Sequence, residues 1–272
     1  MPWSRGGSSS PRLEPGKPHV TTSYPNELVD ISIIVPAYNE ADRIIPYLRN
    51  ITAYLGRRGM AYEILVVDDG SKDETVVVVE KFQTEAPTIR LLQLAQNTGK
   101  GGAVRRGMLD ARGRLQLFAD ADGATPIQEL ERLESLLKDG ADIAIGSRLL
   151  ASRDNRYTVR ARWHRIVLGN LFNRIVQQLS VRGIADTQCG FKLFRGAVAQ
   201  DLFSVSRVNG YGFDLELLYI AQRRGYRIAE VPVNWTDQPG TKVRILRDGL
   251  RMLLELLLVR RNAANGLYGS IF

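Results

Sequence analysis

Residues 31–40 read ISIIVPAYNE and residues 62–71 read YEILVVDDGS. In both, a near-continuous apolar run gives way abruptly to a turn of polar and acidic residues. Three further runs follow the same plan: 89–94 (IRLLQL), 115–119 (LQLFA) and 142–146 (DIAIG). Helix-length stretches near 40–55, 73–84, 100–111 and 127–138 separate them. Strands that are apolar on both faces and alternate with helices predict an α/β fold, a mostly parallel sheet with helices on both faces. Crossovers in such a sheet are right-handed, and its ligand site lies beyond the carboxyl ends of the strands.

The residues that follow each strand therefore carry the chemistry. After the first comes PAYNE (36–40), where a dinucleotide-binding unit would place G-x-G-x-x-G. After the second come Asp68 and Asp69, adjacent on a turn. After the third, Asn97-Thr98-Gly99-Lys100-Gly101-Gly102 opens a helix. It is not a P-loop, because Leu94 replaces the leading glycine and Gly101 the Ser/Thr. It still offers amides and Lys100 to an anion. After the fourth comes Asp120-Ala121-Asp122-Gly123-Ala124-Thr125, and after the fifth Gly146-Ser147-Arg148.

Any one Asp/Gly turn is ordinarily a cap or an Asx turn. Carboxylates after two strands, with a lysine loop and an arginine after two others, share one rim. Asp120 and Asp122 leave an extended segment on the same side, which suits a hard divalent cation that keeps waters and phosphate oxygens as ligands. Together these groups predict a nucleoside diphosphate ligand.

Composition bounds the alternatives. The 272 residues are 44% hydrophobic and 24% charged, an ordinary globular balance with enough chain for a real core. One cysteine, Cys189, excludes a disulfide framework or a cysteine zinc cluster, and a packed strand position is expected for it. Two histidines, His19 and His164, supply a histidine metal centre or a Ser-His-Asp triad poorly. Residues 1–27 read as a disordered Ser/Pro/Gly-rich leader without an apolar signal-peptide core. No run approaches the roughly 20 apolar residues of a membrane span.

The formal charge of +8 is concentrated. Residues 148–182 carry eight arginines against Asp154, a net +7, and residues 241–272 carry a net +4. Taking both from +8 leaves −3 for the rest. The expected organisation is a leader (1–27), an α/β domain (28–240) and a basic amphipathic, membrane-proximal tail (241–272).

The ordered series PAYNE, VVDDGSKDET, NTGKG, FADADGAT and GSR resembles the family 2 inverting nucleotide-sugar glycosyltransferases of the GT-A fold. DTQCGFKLF (186–194), GYGFDLELL (210–218) and the segment 240–261 narrow the likeness to polyprenyl-phosphate glycosyltransferases, above all the dolichyl-phosphate β-glucosyltransferases. The resemblance spans about residues 30–262. It implies that Pro36, Tyr38, Glu40, Val67 and Asp69 surround the nucleoside, with Lys100 and Ala121 in the same nucleotide-sugar site. It implies that Asp120 and Asp122 hold Mg²⁺ or Mn²⁺ on the diphosphate. Related mannose-transferring enzymes carry Gln two residues beyond the second aspartate, where this chain has Ala124. UDP-glucose is thus favoured over the alternative, GDP-mannose. The resemblance also implies an N-terminal membrane anchor that residues 1–27 do not supply, so attachment is expected from elsewhere in the chain.

An acceptor hydroxyl would need a carboxylate base. An acceptor phosphate would not, because its second pKa near 6 leaves it largely dianionic at neutral pH. Its difficulty is repulsion from the donor diphosphate, about 3 kcal/mol for unit charges roughly 6 Å apart at an effective dielectric near 20. Arginine and lysine must offset it. Arg148 and Lys242 are the expected acceptor-phosphate ligands, with Arg160 and Arg165 behind them. Asp186, Asp214 and Glu216 match acidic family positions and are expected either to orient substrate, to act as base, or to pair with the arginines. A soluble acceptor is the other alternative.

Two stretches have one apolar helical face: Trp163–Leu179, and residues 246, 250, 253, 254, 257 and 258. Both lie in basic segments. They are read as helices that pack on the sheet or lie in an anionic membrane interface. The expected setting is cytoplasmic, peripheral at the cytoplasmic face of a membrane. A nucleic-acid partner is disfavoured. Tyr157, Trp163 and Phe172 are the only candidates for base stacking in the arginine segment, and carboxylates on the binding rim repel phosphate unless a metal is present.

Overall fold

The computed structural model describes residues 29–160, 181, 183–238 and 245–269, with the side chains of 245–248 left aside. The leader, the stretch 163–179, Arg165 and Lys242 lie outside the described residues.

All five expected strands form: β1 (Ile31–Ala37), β2 (Tyr62–Asp68), β3 (Ile89–Gln93), β4 (Leu115–Ala119) and β5 (Ile143–Ser147). After the two-residue β6 (Val159–Arg160) come β7 (Phe191–Arg195) and β8 (Ile228–Pro232), then the short β9 (Trp235–Thr236). The main sheet runs β3-β2-β1-β4-β7-β5-β8, and β6 pairs with β9 in a small second sheet. Every pairing in the main sheet is parallel except those of β7, which runs antiparallel to β4 and β5. The helices are α1 (Ile44–Arg57), α2 (Thr75–Glu85), α3 (Lys100–Asp110), α4 (Leu130–Lys138), α5 (Arg148–Ala151), α6 (Gly196–Val205), α7 (Phe213–Arg223) and α8 (Ile245–Ala264).

The apolar runs form strands because helices cover both faces of the sheet. Ile31, Ile33, Ile34 and Val35 are all fully buried, so neither face of β1 meets water. Each such side chain contributes about 1.5–3 kcal/mol by leaving water. Helix α3 lies close on β1 and β2, where Gly107 brings its backbone against Ile34 and Val67. The chain leaves β1 toward β2 and β3, yet β4 lies on the other side of β1. That reversal opens a crevice between the carboxyl ends of β1 and β4, and ligands enter α/β sheets at such a point.

The expected division at residue 240 does not separate two packing units. Helix α8 packs through Met252, Leu256 and Val259, and Leu256, Val259 and Tyr268 belong to the one core. The leucine stripe read from the sequence lies on the opposite side of this helix. Leu250, Leu254, Leu257 and Leu258 are 62%, 60%, 56% and 46% exposed. Helix α8 is therefore apolar on two faces, one turned to the core and one turned outward. Among the described residues no helix is long and apolar enough to cross a membrane. Cys189 is buried as expected, but in the turn before β7 and not in a strand.

Candidate active site

A cleft of about 710 Å³ opens at the β1/β4 crevice. The loop after β1 (Pro36, Ala37, Tyr38, Asn39, Glu40 and Arg43) forms one wall, and Asn97–Lys100 with Ala103 forms another. Asp120, Ala121 and Asp122 lie across from them, and Gly210, Tyr211 and Arg251 close the rim. Of the residues expected around the nucleotide sugar, Pro36, Tyr38, Glu40, Asp69, Lys100, Asp120, Ala121 and Asp122 all line this space. Val67 does not. Its side chain is fully buried against Gly107 in the core, because β2 is covered on both faces and only residues beyond its end reach the rim.

Two turns are tied together before any ligand arrives. Asp69 accepts from the Thr98 amide (2.7 Å), the Thr98 hydroxyl (2.9 Å) and the Gly99 amide (2.9 Å). It thus fixes the turn that presents Lys100. Asn39 sits at φ +53, a left-handed conformation that asparagine tolerates better than most residues. There its amide donates to Ser71 Oγ, and its Oδ1 accepts from the Lys72 amide. Glu40 is ion-paired with Arg43.

Lys100 Nζ lies 2.7 Å from Asp120 Oδ1 and 5.2 Å from the centre of the Phe118 ring. Burial opposes its charge, but Asp120 and Asp214 outweigh that and hold its pKa above the ordinary lysine value. Asp122 accepts from the Ala124 amide at 3.0 Å. Burial, reinforced by the neighbouring Asp120 charge, pushes its carboxyl above the usual range. Two crowded carboxylates on a cleft floor fit a divalent cation. Among the described residues no group of three or more His, Cys, Asp or Glu could hold one unaided. A cation held there would need further ligands from a bound molecule and from water.

The acidic residues expected near the acceptor are all engaged. Asp186 grips Arg148 through Nε (2.7 Å), Nη2 (2.8 Å) and the backbone amide (3.0 Å). Burial opposes ionisation of Asp186, but Arg148 outweighs it and holds the carboxyl below the usual range. Arg148 in turn lies over the Trp235 ring, 5.5 Å from its centre. Asp214 is buried and bonded to the equally buried Lys192 Nζ at 2.6 Å. Glu216 accepts from the Arg207 and Val208 amides and the Tyr268 hydroxyl. None of the three is among the residues that line the cleft, and each is paired within the protein. Arg160 is exposed on β6. Arg165 and Lys242 lie outside the described residues.

Some site residues escape a reading of the sequence. Gly190, inside DTQCGFK, lies against Asp120: a Cβ there would stand 1.9 Å from Asp120 Oδ2. Its carbonyl also accepts from the Asp120 amide at 3.0 Å. Tyr211 and Arg251 reach the rim from segments far along the chain, so no local spacing points to them.

The family model described as "Glycosyl transferase family 2" matches residues 32–203. Curated relatives include a dolichyl-phosphate β-glucosyltransferase of Drosophila melanogaster, 42% identical over 85% of this chain and 74% of that protein. The Homo sapiens protein of the same name is 40% identical over 87% of this chain and 76% of its own length. Among solved structures, glucosyl-3-phosphoglycerate synthase from Mycobacterium tuberculosis, in complex with Mn²⁺, UDP and glucosyl-3-phosphoglycerate, shares the fold. Its TM-score is 0.62 at 21% identity, covering 85% of this chain and 80% of that one. Mannosyl-3-phosphoglycerate synthase from Rubrobacter xylanophilus gives a TM-score of 0.62 at 20% identity, covering 90% and 77%. The chain belongs to glycosyl transferase family 2, related over most of its length to dolichyl-phosphate β-glucosyltransferases.

Proposed function

We propose that the protein transfers glucose from UDP-glucose, with inversion, to a polyprenyl phosphate of the dolichyl type at a membrane surface. The observation that carries this reading is the Asp120/Asp122 pair beside Lys100, at the β1/β4 crevice of a family 2 chain whose relatives are named dolichyl-phosphate β-glucosyltransferases. Tyr38, Glu40 and Asp69 form the nucleoside end of the cleft. Asp120 and Asp122 hold a divalent cation, Mg²⁺ or Mn²⁺, which offsets the charge that develops on the leaving diphosphate. Lys100 stands where it can share the same phosphate oxygens.

The engaged carboxylates favour a phosphate acceptor. Every one lining the cleft already meets a donor or a cation: Glu40 by Arg43, Asp69 by Thr98 and Gly99, Asp120 by Lys100, and Asp122 by the Ala124 amide. An acceptor that arrives as a dianion needs no base from them. Its charge requires cations instead. Arg148, held in orientation by Asp186, is the described candidate, and Arg160, Arg165 and Lys242 are the further cations that the sequence offers.

A lipid acceptor places the site at an interface. The outward leucines of α8, with exposed Arg251, Arg260 and Arg261 on the same helix, suit an anionic lipid surface. A peripheral position on the cytoplasmic face accords with this.

The test is to supply radiolabelled UDP-glucose, dolichyl phosphate and Mn²⁺ or Mg²⁺, and to ask where the label goes. Label extracted into organic solvent, and absent without metal, is expected. Label that enters the organic phase only from GDP-mannose, or that passes only to a water-soluble acceptor, overturns the assignment.

A further inference from the structure

The Gly210-Tyr211-Gly212 turn is shaped around one side chain from α8. Glu255 Oε2 accepts from the Gly212 amide at 2.7 Å. A Cβ on Gly210 would stand 2.1 Å from Glu255 Oε1, and one on Gly212 would stand 2.6 Å from Oε2. The two glycines are therefore needed so that the carboxylate can seat in the turn. Arg251, one helical turn earlier, lies 3.3 Å from Glu255 Oε1 and lines the cleft itself.

The turn holds the lysine loop in its own right. The Asn209 carbonyl accepts from the amides of Gly101 (2.7 Å) and Gly102 (3.3 Å), in the first turn of α3. Lys100 belongs to that same turn and lies 6.0 Å from the centre of the Tyr211 ring. Glu255 is thus joined, through the chain segment 209–212, to the first turn of α3, from which Lys100 meets Asp120. On the same helix Leu254 and Leu258, one residue before and three residues after Glu255, are exposed.

We infer that Glu255 is a positioning residue through which docking of α8 on an anionic lipid surface organises the nucleotide cleft. This rests on the transferase reading above. When the leucine face is seated, α8 is fixed against the rim and the Gly210–Gly212 turn is held in its binding form. The donor cleft then binds better at the membrane than in free solution, without any lipid entering it.

The experiment titrates UDP with Mn²⁺ into the full chain by calorimetry. It is done with and without phosphatidylcholine vesicles containing phosphatidylglycerol, and thermal stability is recorded in parallel. The wild type is expected to bind UDP several-fold more tightly on vesicles. Glu255→Ala is expected to lose about tenfold in lipid-free affinity, in keeping with one charge-assisted hydrogen bond, and to lose the vesicle response. Glu255→Gln keeps an acceptor oxygen and is expected to recover most of the lipid-free affinity. Leu254→Glu, which leaves Glu255 in place, is expected to keep wild-type affinity in solution and lose only the vesicle response. The inference is overturned if Glu255→Ala binds UDP like the wild type, or if it still responds to vesicles. A loss that Gln does not restore, accompanied by a matching fall in melting temperature, overturns it too. If the wild type fails to bind UDP at all, the transferase reading falls with it; a wild type that binds UDP with no vesicle response sinks the coupling alone.

Discussion

Lys100 Nζ stands 2.7 Å from Oδ1 of Asp120, so the cleft's lysine and its first aspartate neutralise one another across the floor. A diphosphate and a divalent cation would divide this pair, the lysine turning to phosphate and the carboxylate to metal. Replacing Lys100 by Met should therefore have effects of opposite sign. Mn²⁺ alone is expected to bind about tenfold more tightly, because a competing unit charge within a few ångströms is gone. UDP in the presence of saturating Mn²⁺ is expected to bind roughly tenfold more weakly, having lost a charge-assisted contact. Calorimetric titration of each ligand measures both; a fall in both affinities would contradict the exchange.

Gly190 gives a sharper geometric test. Alanine there puts a methyl group 1.9 Å from the present position of Asp120 Oδ2, and the carboxylate has to turn away. The neighbouring β7 remains paired along its length, so the fold should survive with a loss of a few degrees in melting temperature. Displacing a metal ligand's support typically costs about 10–100-fold in metal affinity. Gly190→Ala is expected to show that loss in a Mn²⁺ titration, with donor binding falling alongside. Unchanged Mn²⁺ affinity would remove Asp120 from the metal site.

The strands and the place of Asp120 and Asp122 on the cleft are legible in the sequence because both are local. An apolar run followed by an acidic turn marks a buried strand and its carboxyl end in fewer than ten residues, and ISIIVPAYNE and LQLFADADG do so unaided. Partners are not legible, because they are distant in the chain. Asp186 and Arg148 are 38 residues apart, and Asp214 and Lys192 are 22 apart. From sequence the acids could equally orient a substrate, act as a base or pair with a cation. Val67, which only the resemblance implies, lies in a strand buried on both faces and is not among the residues that line the cleft. The leucine stripe of α8 was visible, but its direction was not, since Met252, Leu256 and Val259 form a second apolar face of the same helix.

The Arg148–Asp186 pair should leave a signature in acid. Asp186 is fully ionised with a folded pKa below its unfolded value near 3.9, because Arg148 outweighs the cost of burial. Its contribution to stability is thus complete above about pH 4 and is lost as pH falls through the lower folded value. In urea unfolding, the gap between wild type and Asp186→Asn is expected to stay constant from about pH 5 to 7 and to close below about pH 4. Arg148→Met, which leaves the buried carboxylate without its cation, should cost about 3 kcal/mol at neutral pH. A gap that widened as pH fell would mean that the carboxyl is protonated in the folded state.

Asp214 is where a catalytic and a packing role can be told apart by a pair of substitutions. Its carboxylate and Lys192 Nζ are 2.6 Å apart with side chains 4% and 1% exposed, and the lysine also donates to the Cys189 carbonyl. A base must reach its substrate, and this carboxylate does not line the cleft. Breaking such a pair from either side strands a charge in the core and costs about 3–5 kcal/mol, whereas removing both partners costs less than the sum. Asp214→Asn and Lys192→Met are therefore expected to lower stability by similar amounts, and activity with it. Asp214→Leu with Lys192→Met is expected to recover a large part of the stability. A catalytic base would behave otherwise: Asp214→Asn would lower kcat by orders of magnitude at an unchanged melting temperature, and no second substitution at Lys192 would compensate. The melting temperatures of the three variants, read beside their kcat values, decide between the two roles.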